Sequence, residues 1–462
     1  MAYYFHRSVL PSHLITHQVR NSIFQLSLLR FYTNSTFPSS LPNIPSKEFT
    51  TAFVLDRYLN KVEKALKKFI FVSLISSTIF ISSDLFLAWC WNNYNKRKFN
   101  KTVEKGTWPD VVRITENELV PRPLITKHLK KILVPHKNQS TYYVVCGEHG
   151  TGKTTLMRIA SREVGGDKKG GIQGGRGVIY VDIPPEVSDV ENFGKQFGKA
   201  LNFTFEKRIS LTGQLMKKIF DKDSNKDPKW IRALEAFKSA SAMYKKKNPC
   251  HQPPVIVYDN ISQLIHIDPK ILDFLQDDAK DNADYRNYIT VFVCSEGSVS
   301  RRMESRSSWS RADKPVIEIS DLNKEESMKY LSKRGIKEEE VKRLYELVGS
   351  RILNLKYVAD KSLIGQTFEV IKQQVFGIVY DNIEKAGMNP GQPNHEAAKI
   401  IIKALRNSNN MLHVSKLREM TKVEPNKLLE SNVFAYHPEN KTVTFQSRST
   451  ECYIYENEKF IN

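Results

Sequence analysis

Gly147-Glu148-His149-Gly150-Thr151-Gly152-Lys153-Thr154 follows the spacing Gly, four free positions, Gly-Lys-Thr, with Thr155 next in line. Glycines at these places let successive backbone N–H groups converge on one point, and a helix beginning behind them adds positive potential. Such a cradle suits a polyphosphate. Lys153 is expected to reach the β- and γ-phosphates of a nucleotide and the Thr154 hydroxyl to ligate Mg²⁺. Further along, the apolar run Val255-Ile256-Val257-Tyr258 ends in Asp259-Asn260. A buried strand that delivers a carboxylate to the carboxyl edge of a sheet is what holding Mg²⁺ through water requires. Ser295, just past the apolar run Tyr288–Cys294, falls where a sensor would touch a γ-phosphate. Asp259, Asn260 and Ser295 are thus the candidate catalytic set, Gly147 to Thr155 the nucleotide cradle, and Thr154 with Asp259 the metal ligands; ATP and Mg²⁺ are the expected ligands. Asn260 can orient a water but cannot accept its proton. Hydrolysis should therefore be slow unless another acid, Glu148 or Glu296, substitutes.

The elements that must position these residues can be read from apolar runs. Tyr142–Cys146 leads into the cradle as a strand, and the residues from Thr155 lead out as a helix. A helix is expected over Leu124–Val134, preceded by Val120-Pro121-Arg122-Pro123, and a strand over Val178–Asp182 after a loop with seven glycines between Gly165 and Gly177. Residues 190 to 247 carry helical periodicity, broken by the polar turn 221–225, and Pro315–Ile319 closes the sheet. Arg301, Arg302, Arg306 and Arg311 lie between the last two strands, where an arginine could reach a phosphate; a solvated basic loop is an equal reading. Helices over Lys324–Leu347 and Leu353–Ala386 form a small lid, joined by Val348-Gly349-Ser350-Arg351. Last come helices at His395–Leu405, Val414–Met420 and Pro425–Glu430 and a hairpin of Val433–Tyr436 with Thr442–Phe445, which together read as a winged helix. The expected fold is α/β: a parallel phosphate-loop NTPase sheet with a helical lid, a C-terminal winged helix and one N-terminal membrane helix. The divisions are 1–47, 48–68, 69–91, 92–114, 115–322, 323–390 and 391–462.

Residues 1–47 contain Arg7, Arg20, Arg30 and Lys47, no Asp or Glu, and much Ser and Thr. That is the makeup of a mitochondrial transit peptide. Arg30-Phe31-Tyr32 resembles the Arg-x-Tyr signal of matrix processing peptidase. The stretch Phe69–Trp91, twenty-three residues, would rise about 34 Å as a helix, enough for a hydrocarbon core of roughly 30 Å. Lys67-Lys68 and Lys96-Arg97-Lys98 flank it, Trp89, Trp91 and Tyr94 supply an aromatic belt, and Asp84 is its one blemish. A single-pass protein of the mitochondrial inner membrane is expected. The five cysteines are scattered and read as reduced thiols, with neither structural disulfide nor zinc. A formal charge of +20 suits nucleic acid or anionic lipid. Within 394–462, however, ten Lys/Arg face eight Asp/Glu, which is no basic stripe.

The ordered set of Arg122, GEHGTGKTT, VIYVD, VIVYDN, a strand ending in CSE, EISDLNKEES, VGSR and the winged helix resembles the archaeal-ATPase branch of AAA+/STAND P-loop NTPases. That resemblance implies a sheet in which the sensor strand separates the two motif strands. It also implies Arg122 near the adenine, Arg351 as a sensor arginine, and an acid where Asn260 stands. VGSRILNLKYVAD and the N-terminal layout are similar to fungal mitochondrial inner-membrane proteins of the mitochondrial-escape type. The leading expectation is a membrane-anchored ATP switch. It would contact membrane lipid through its one span, an unidentified protein through the winged helix or the Lys-rich helical segment, and possible further copies of itself. A DNA-binding ATPase of mitochondrial nucleoids and a catalytically silent nucleotide-binding scaffold are the alternatives, nucleic acid being the less favoured partner.

Overall fold

A computed structural model describes residues 48–107, 115, 117–166, 177–186, 189–205, 227–248, 252–429 and 432–457. The leader expected over 1–47, most of the glycine-rich loop and the turn at 221–225 lie outside them. The chain divides into two units, 1–82 and 83–462. The first described element, α1 (Glu48–Lys105), is one helix of 58 residues. It does not stop at the edges of the apolar stretch. Phe69, Phe71, Leu74, Ile79, Phe80, Phe86 and Trp89 are all exposed on it.

Within the second unit the sheet is five-stranded. Its strands are β1 (Tyr143–Cys146), β2 (Val178–Asp182), β3 (Val255–Asp259), β4 (Ile289–Val293) and β5 (Ile317–Glu318), in the order β2-β3-β4-β1-β5, all parallel. The strand preceding Ser295 thus separates the two motif strands, as the resemblance implied. Parallel strands buried on both faces read as unbroken Val/Ile/Tyr runs, and the alternation of side chains sorts them into two cores. Val144, Cys146, Ile179, Val181, Ile256, Tyr258 and Phe292 face one core. It is covered by α4 (Val190–Ala200), α5 (Lys229–Lys247) and α7 (Pro269–Asp284) through Phe193, Phe197, Trp230, Phe237, Leu272 and Leu275. Val145, Tyr180, Val257, Val291 and Val293 face the other, under α2 (Pro123–Leu133) and α3 (Lys153–Gly166). Between α5 and α7, α6 (Ser262–Ile267) follows β3 directly. Asp268 caps α7, its side chain accepting from the Lys270 N–H with Pro269 in the first turn, the usual grammar of a helix start. Two short pieces link β4 to β5: α8 (Gly297–Glu304) and a 3₁₀ turn, Ser307–Arg311.

Beyond β5 the chain is helical: α9 (Lys324–Lys333), α10 (Glu338–Val348), α11 (Ile352–Leu363) and α12 (Phe368–Lys385). A reciprocal Asn323–Glu326 capping box starts α9, satisfying two otherwise orphaned donors. Then come α13 (His395–Asn407), β6 (Leu412–His413), α14 (Val414–Thr421), α15 (Pro425–Leu429), β7 (Phe434–His437), β8 (Thr442–Phe445) and α16 (Arg448–Glu456). The three strands pair antiparallel in the order β6-β8-β7. Both β6 and α16 add to the expected set of three helices and a hairpin. Leu344, Leu355, Ile371, Val375, Ile401, Phe434, Phe445 and Tyr453 belong to one hydrophobic cluster. The lid and the C-terminal segment therefore form a single packed body, where the sequence divides them at 390.

Candidate functional site

The loop from β1 to α3 is built on glycines whose backbone no other residue adopts freely. Gly147 (φ +144°) lies so close to the Ile319 carbonyl that a Cβ would collide with it. Gly150 (φ +86°) would meet Leu353 Cβ at 2.7 Å. The loop's backbone is thus pressed against the residue that follows β5 on one side and α11 on the other. Lys153, 4% exposed, donates from Nζ to the Glu148 carbonyl at 2.7 Å. Burial depresses its pKa, so a bound anion would be welcomed by a cation short of solvation.

At the end of β3, Asp259 is fully buried. Its carboxylate accepts from Thr154 Oγ1 (3.3 Å), the Asn260 N–H (2.9 Å) and the Tyr180 hydroxyl (2.5 Å). Burial, with Asp182 close by, raises its pKa against the pull of those donors. A divalent cation would reverse that balance. The donor set fits a magnesium-bound triphosphate: a cradle that a Cβ would fill, a buried lysine, and a hydroxyl already in register with a carboxylate. Thr154 and Asp259 would hold the metal.

A cavity of about 420 Å³ opens beside these groups. His149 to Leu156 form its floor, with Asn260 and Ser295 alongside; Leu119, Val120, Leu322, Ile352 and Leu353 make an apolar end, where Glu118, Arg122 and Lys356 also lie. The Ser295 N–H donates to Ser262 Oγ at 3.4 Å. Glu118 takes a 2.6 Å bond from Lys356, which with Thr115 pulls its carboxyl down to about 2. Arg122 donates to the backbone carbonyls of Ser320 (2.7 Å) and Asp321 (3.4 Å). It shapes the wall from which the expected contact with the base would be made.

Among the sequence-predicted residues, Gly147, Glu148, Asp259 and Arg351 do not line the cavity. Arg351 is 5% exposed and forks onto Asp321, Nε to Oδ1 at 3.1 Å and Nη2 to Oδ2 at 3.2 Å, while its Nη1 has no protein partner. A buried guanidinium with a spare donor beside the phosphate loop is placed to receive an anion. Glu148 is buried. Burial drives its carboxyl up to about 7 despite the nearby charges of Arg351, His437 and Lys153. Glu296 is not part of the wall either. Nor do the linking arginines stand ready as fingers: Arg302 pairs with Asp273 (2.7 Å), Arg306 with Asp277 (2.7 Å), and Arg311 with Asp284. Arg301 sits 5.6 Å over the Tyr436 ring.

Several functional groups escaped the sequence. Tyr180 fixes the Asp259 carboxylate from the neighbouring strand. Asp182, opposite Asp259 in the parallel register, holds Asn260 and Arg158; the signal was there, since VIYVD repeats the pattern of VIVYD. His437 on β7 bonds Glu318 on β5 through Nδ1 at 2.6 Å. Burial works to lower its pKa, but the Glu318 bond and charge carry it upward. Tyr436 beside it packs on Gly297 and donates to Glu304 at 2.9 Å.

A family model described as an ATPase domain predominantly from Archaea matches residues 126–358, or 233 of 462. Among solved structures, a Walker-type ATPase of Pyrococcus abyssi is similar at a TM-score of 0.49 and 13% identity, over 75% of this chain and 97% of that one. Cdc6p from Pyrobaculum aerophilum gives 0.38 and 14%, over 74% and 96%. The Aeropyrum pernix ORC1 protein, solved in complex with DNA, gives 0.38 and 12%, over 74% and 95%. A search of curated proteins finds no match.

Proposed function

We propose, on the premise that this chain belongs to the family of ATPase domains found predominantly in Archaea, that it is a membrane-anchored ATP switch with slow turnover. The observation that carries the reading is the direct tie between phosphate loop and lid. The Leu353 N–H at the start of α11 donates to the Gly150 carbonyl at 3.2 Å. Arg351 lies next to it with a spare donor. On the loop's other side, Glu148 and Glu318 face His437 of the C-terminal segment.

Phosphates arriving at the cradle would draw Lys153 from the Glu148 carbonyl and engage Arg351. Both cations now temper the buried Glu148 carboxyl, so its environment changes with the site's charge. The lid and C-terminal segment share one core and would answer as a single body. Mg²⁺, held by Thr154 and Asp259, would supply charge neutralisation between the phosphates. Tyr180 keeps Asp259 oriented for it, and Asn260 orients water without taking its proton.

The C-terminal segment reads as a winged helix turned to a protein partner, because its ten basic and eight acidic residues over 394–462 make no stripe for phosphates. The exposed apolar face of α1 and the acid-free leader support an anchor in the mitochondrial inner membrane. Full-length protein in detergent should bind ATP·Mg²⁺ by calorimetry and hydrolyse it below the ~1–100 s⁻¹ of ordinary kinases. Absence of ATP binding would sink the switch. Release of the full-length protein by carbonate would sink the anchor, and cytosolic location of a 1–47 reporter fusion the address.

A further inference from the structure

We infer that Asp182 is a positioning residue for ATP hydrolysis, acting through Asn260 in place of the acid that position 260 lacks; this rests on the ATP-binding reading above. Asp182 ends β2 as Asp259 ends β3, and the two are register partners. Asp182 Oδ1 accepts from Asn260 Nδ2 at 3.0 Å, and Oδ2 accepts from Arg158 Nη2 at 2.6 Å. An ionised carboxylate can only accept hydrogen bonds. The amide is therefore obliged to give Asp182 its NH₂ group, which turns the carbonyl Oδ1 the other way. Asn260 lines the cavity together with Thr154 and Ser295, so that oxygen is the acceptor it can offer to a water there.

Backbone and scaffold hold the arrangement. Asn260 sits at φ +61°, a left-handed conformation that Asn and Asp tolerate far better than a longer side chain. Arg158 is on α3, the helix that opens with Lys153. The helix that carries the phosphate lysine thus also anchors the carboxylate that aims the amide. A water accepted by Asn260 Oδ1 would be aligned on the γ-phosphorus. Its oxygen forms the new P–O bond, and the bond from that phosphorus to the bridging oxygen breaks, its electron pair leaving on ADP. Both water protons depart on the product as dihydrogen phosphate, since the amide takes neither. Alignment without a base makes hydrolysis slow but dependent on Asp182.

The test is single-turnover ATP hydrolysis by the full-length protein, run beside calorimetric ATP affinity and the thermal midpoint. Asp182→Asn should lower the rate tenfold or more, toward the ~100-fold that misplacing a reacting group costs. ATP affinity should hold, as for an interaction made only in the transition state. Asn260→Ala should lose a similar factor, and adding Asp182→Asn to it should cost nothing further, because the two act as a unit. The exchange Asp182→Asn with Asn260→Asp keeps a carboxylate–amide pair and should retain turnover. A wild-type rate in Asp182→Asn would overturn the inference. So would additive losses, a fall in ATP affinity matching the fall in rate, or a wild type that binds ATP and never hydrolyses it. A wild type that does not bind ATP overturns the function proposed above instead.

Discussion

The two ends of the cavity are made differently. The phosphate end is polar, drawn from one continuous loop and the tip of β3. Its groups are already bonded to one another, Lys153 to the Glu148 carbonyl and Thr154 to Asp259. The other end is apolar and assembled from three separate stretches: Leu119 and Val120 before α2, Leu322 after β5, and Ile352 and Leu353 opening α11. The first is a chemical constellation fixed by local sequence. The second is a shape that exists only when the lid is in place. Affinity at the first should come from charge and at the second from burial.

The largest test of that contrast is Lys153→Ala. Removing a buried cation from its anion typically costs ~2–5 kcal/mol, so ATP and inorganic tripolyphosphate should both lose about thirtyfold or more in calorimetric affinity. Equal binding of tripolyphosphate before and after the change would mean that the phosphate end lies elsewhere.

Glu148 sharpens the contrast through pH. Its carboxyl is raised from 4.5 to about 7 in the folded protein. The unfolded chain then releases its proton first, and the resulting stability, complete below pH 4.5, is lost as pH rises through about 7. His437, also raised, acts in the same direction. Two and a half pKa steps amount to about 3 kcal/mol. Glu148→Gln should remove most of the fall in thermal midpoint between pH 5 and pH 8. An unchanged slope would show that the cluster facing it, Arg351, Lys153, Asp321 and His437, does not sense its charge.

Asp259→Asn comes next. Losing a hydrogen-bonded charge costs ~1.5–3 kcal/mol, and the loss should appear with Mg²⁺ and largely vanish in chelator. Equal losses in both conditions would make Asp259 structural. Smallest is Ile352→Ala, which removes three carbons at ~0.8 kcal/mol each if fully buried. Ile352 is only partly buried, so ATP affinity should fall several-fold while tripolyphosphate binding stays put. A matching loss for tripolyphosphate would mean that Ile352 acts through the phosphate loop it adjoins and not on the base.

The same division explains what the sequence could reveal. Gly147 to Thr154 are contiguous, so their spacing is itself the geometry, and the strands around them are unbroken apolar runs. Val120, Leu322 and Ile352 are single apolar residues far apart in the chain; nothing local distinguishes them from core. Arg122 could be placed at the wall, but its bonds to the carbonyls of Ser320 and Asp321 depend on a return of the chain that local pattern does not encode. Asp182 was visible as a strand-ending acid, yet only the register Asp182↔Asp259 brings it to Asn260. Asn260 itself looks like a defect when read as a missing acid. At φ +61° it is a residue type that this backbone accepts, and Asn260→Glu would carry strain along with its charge. The helix α16 was not foreseen, although the Ser447 side chain caps its start by accepting from the Thr450 N–H at 3.2 Å. With only two residues, β6 offers no period to read.

One core shared by the lid and the C-terminal segment has a bearing on how such a chain can be inherited. A recombination joint near residue 390 would leave Leu355, Ile371 and Val375 on one side and Ile401, Phe434 and Phe445 on the other, each half baring the surface the other covers. Neither piece could be traded between lineages or shed alone without exposing apolar surface, so the two should descend together. New partners would then arise by substitution on the outer face of α13 to α16 and not by swapping the module.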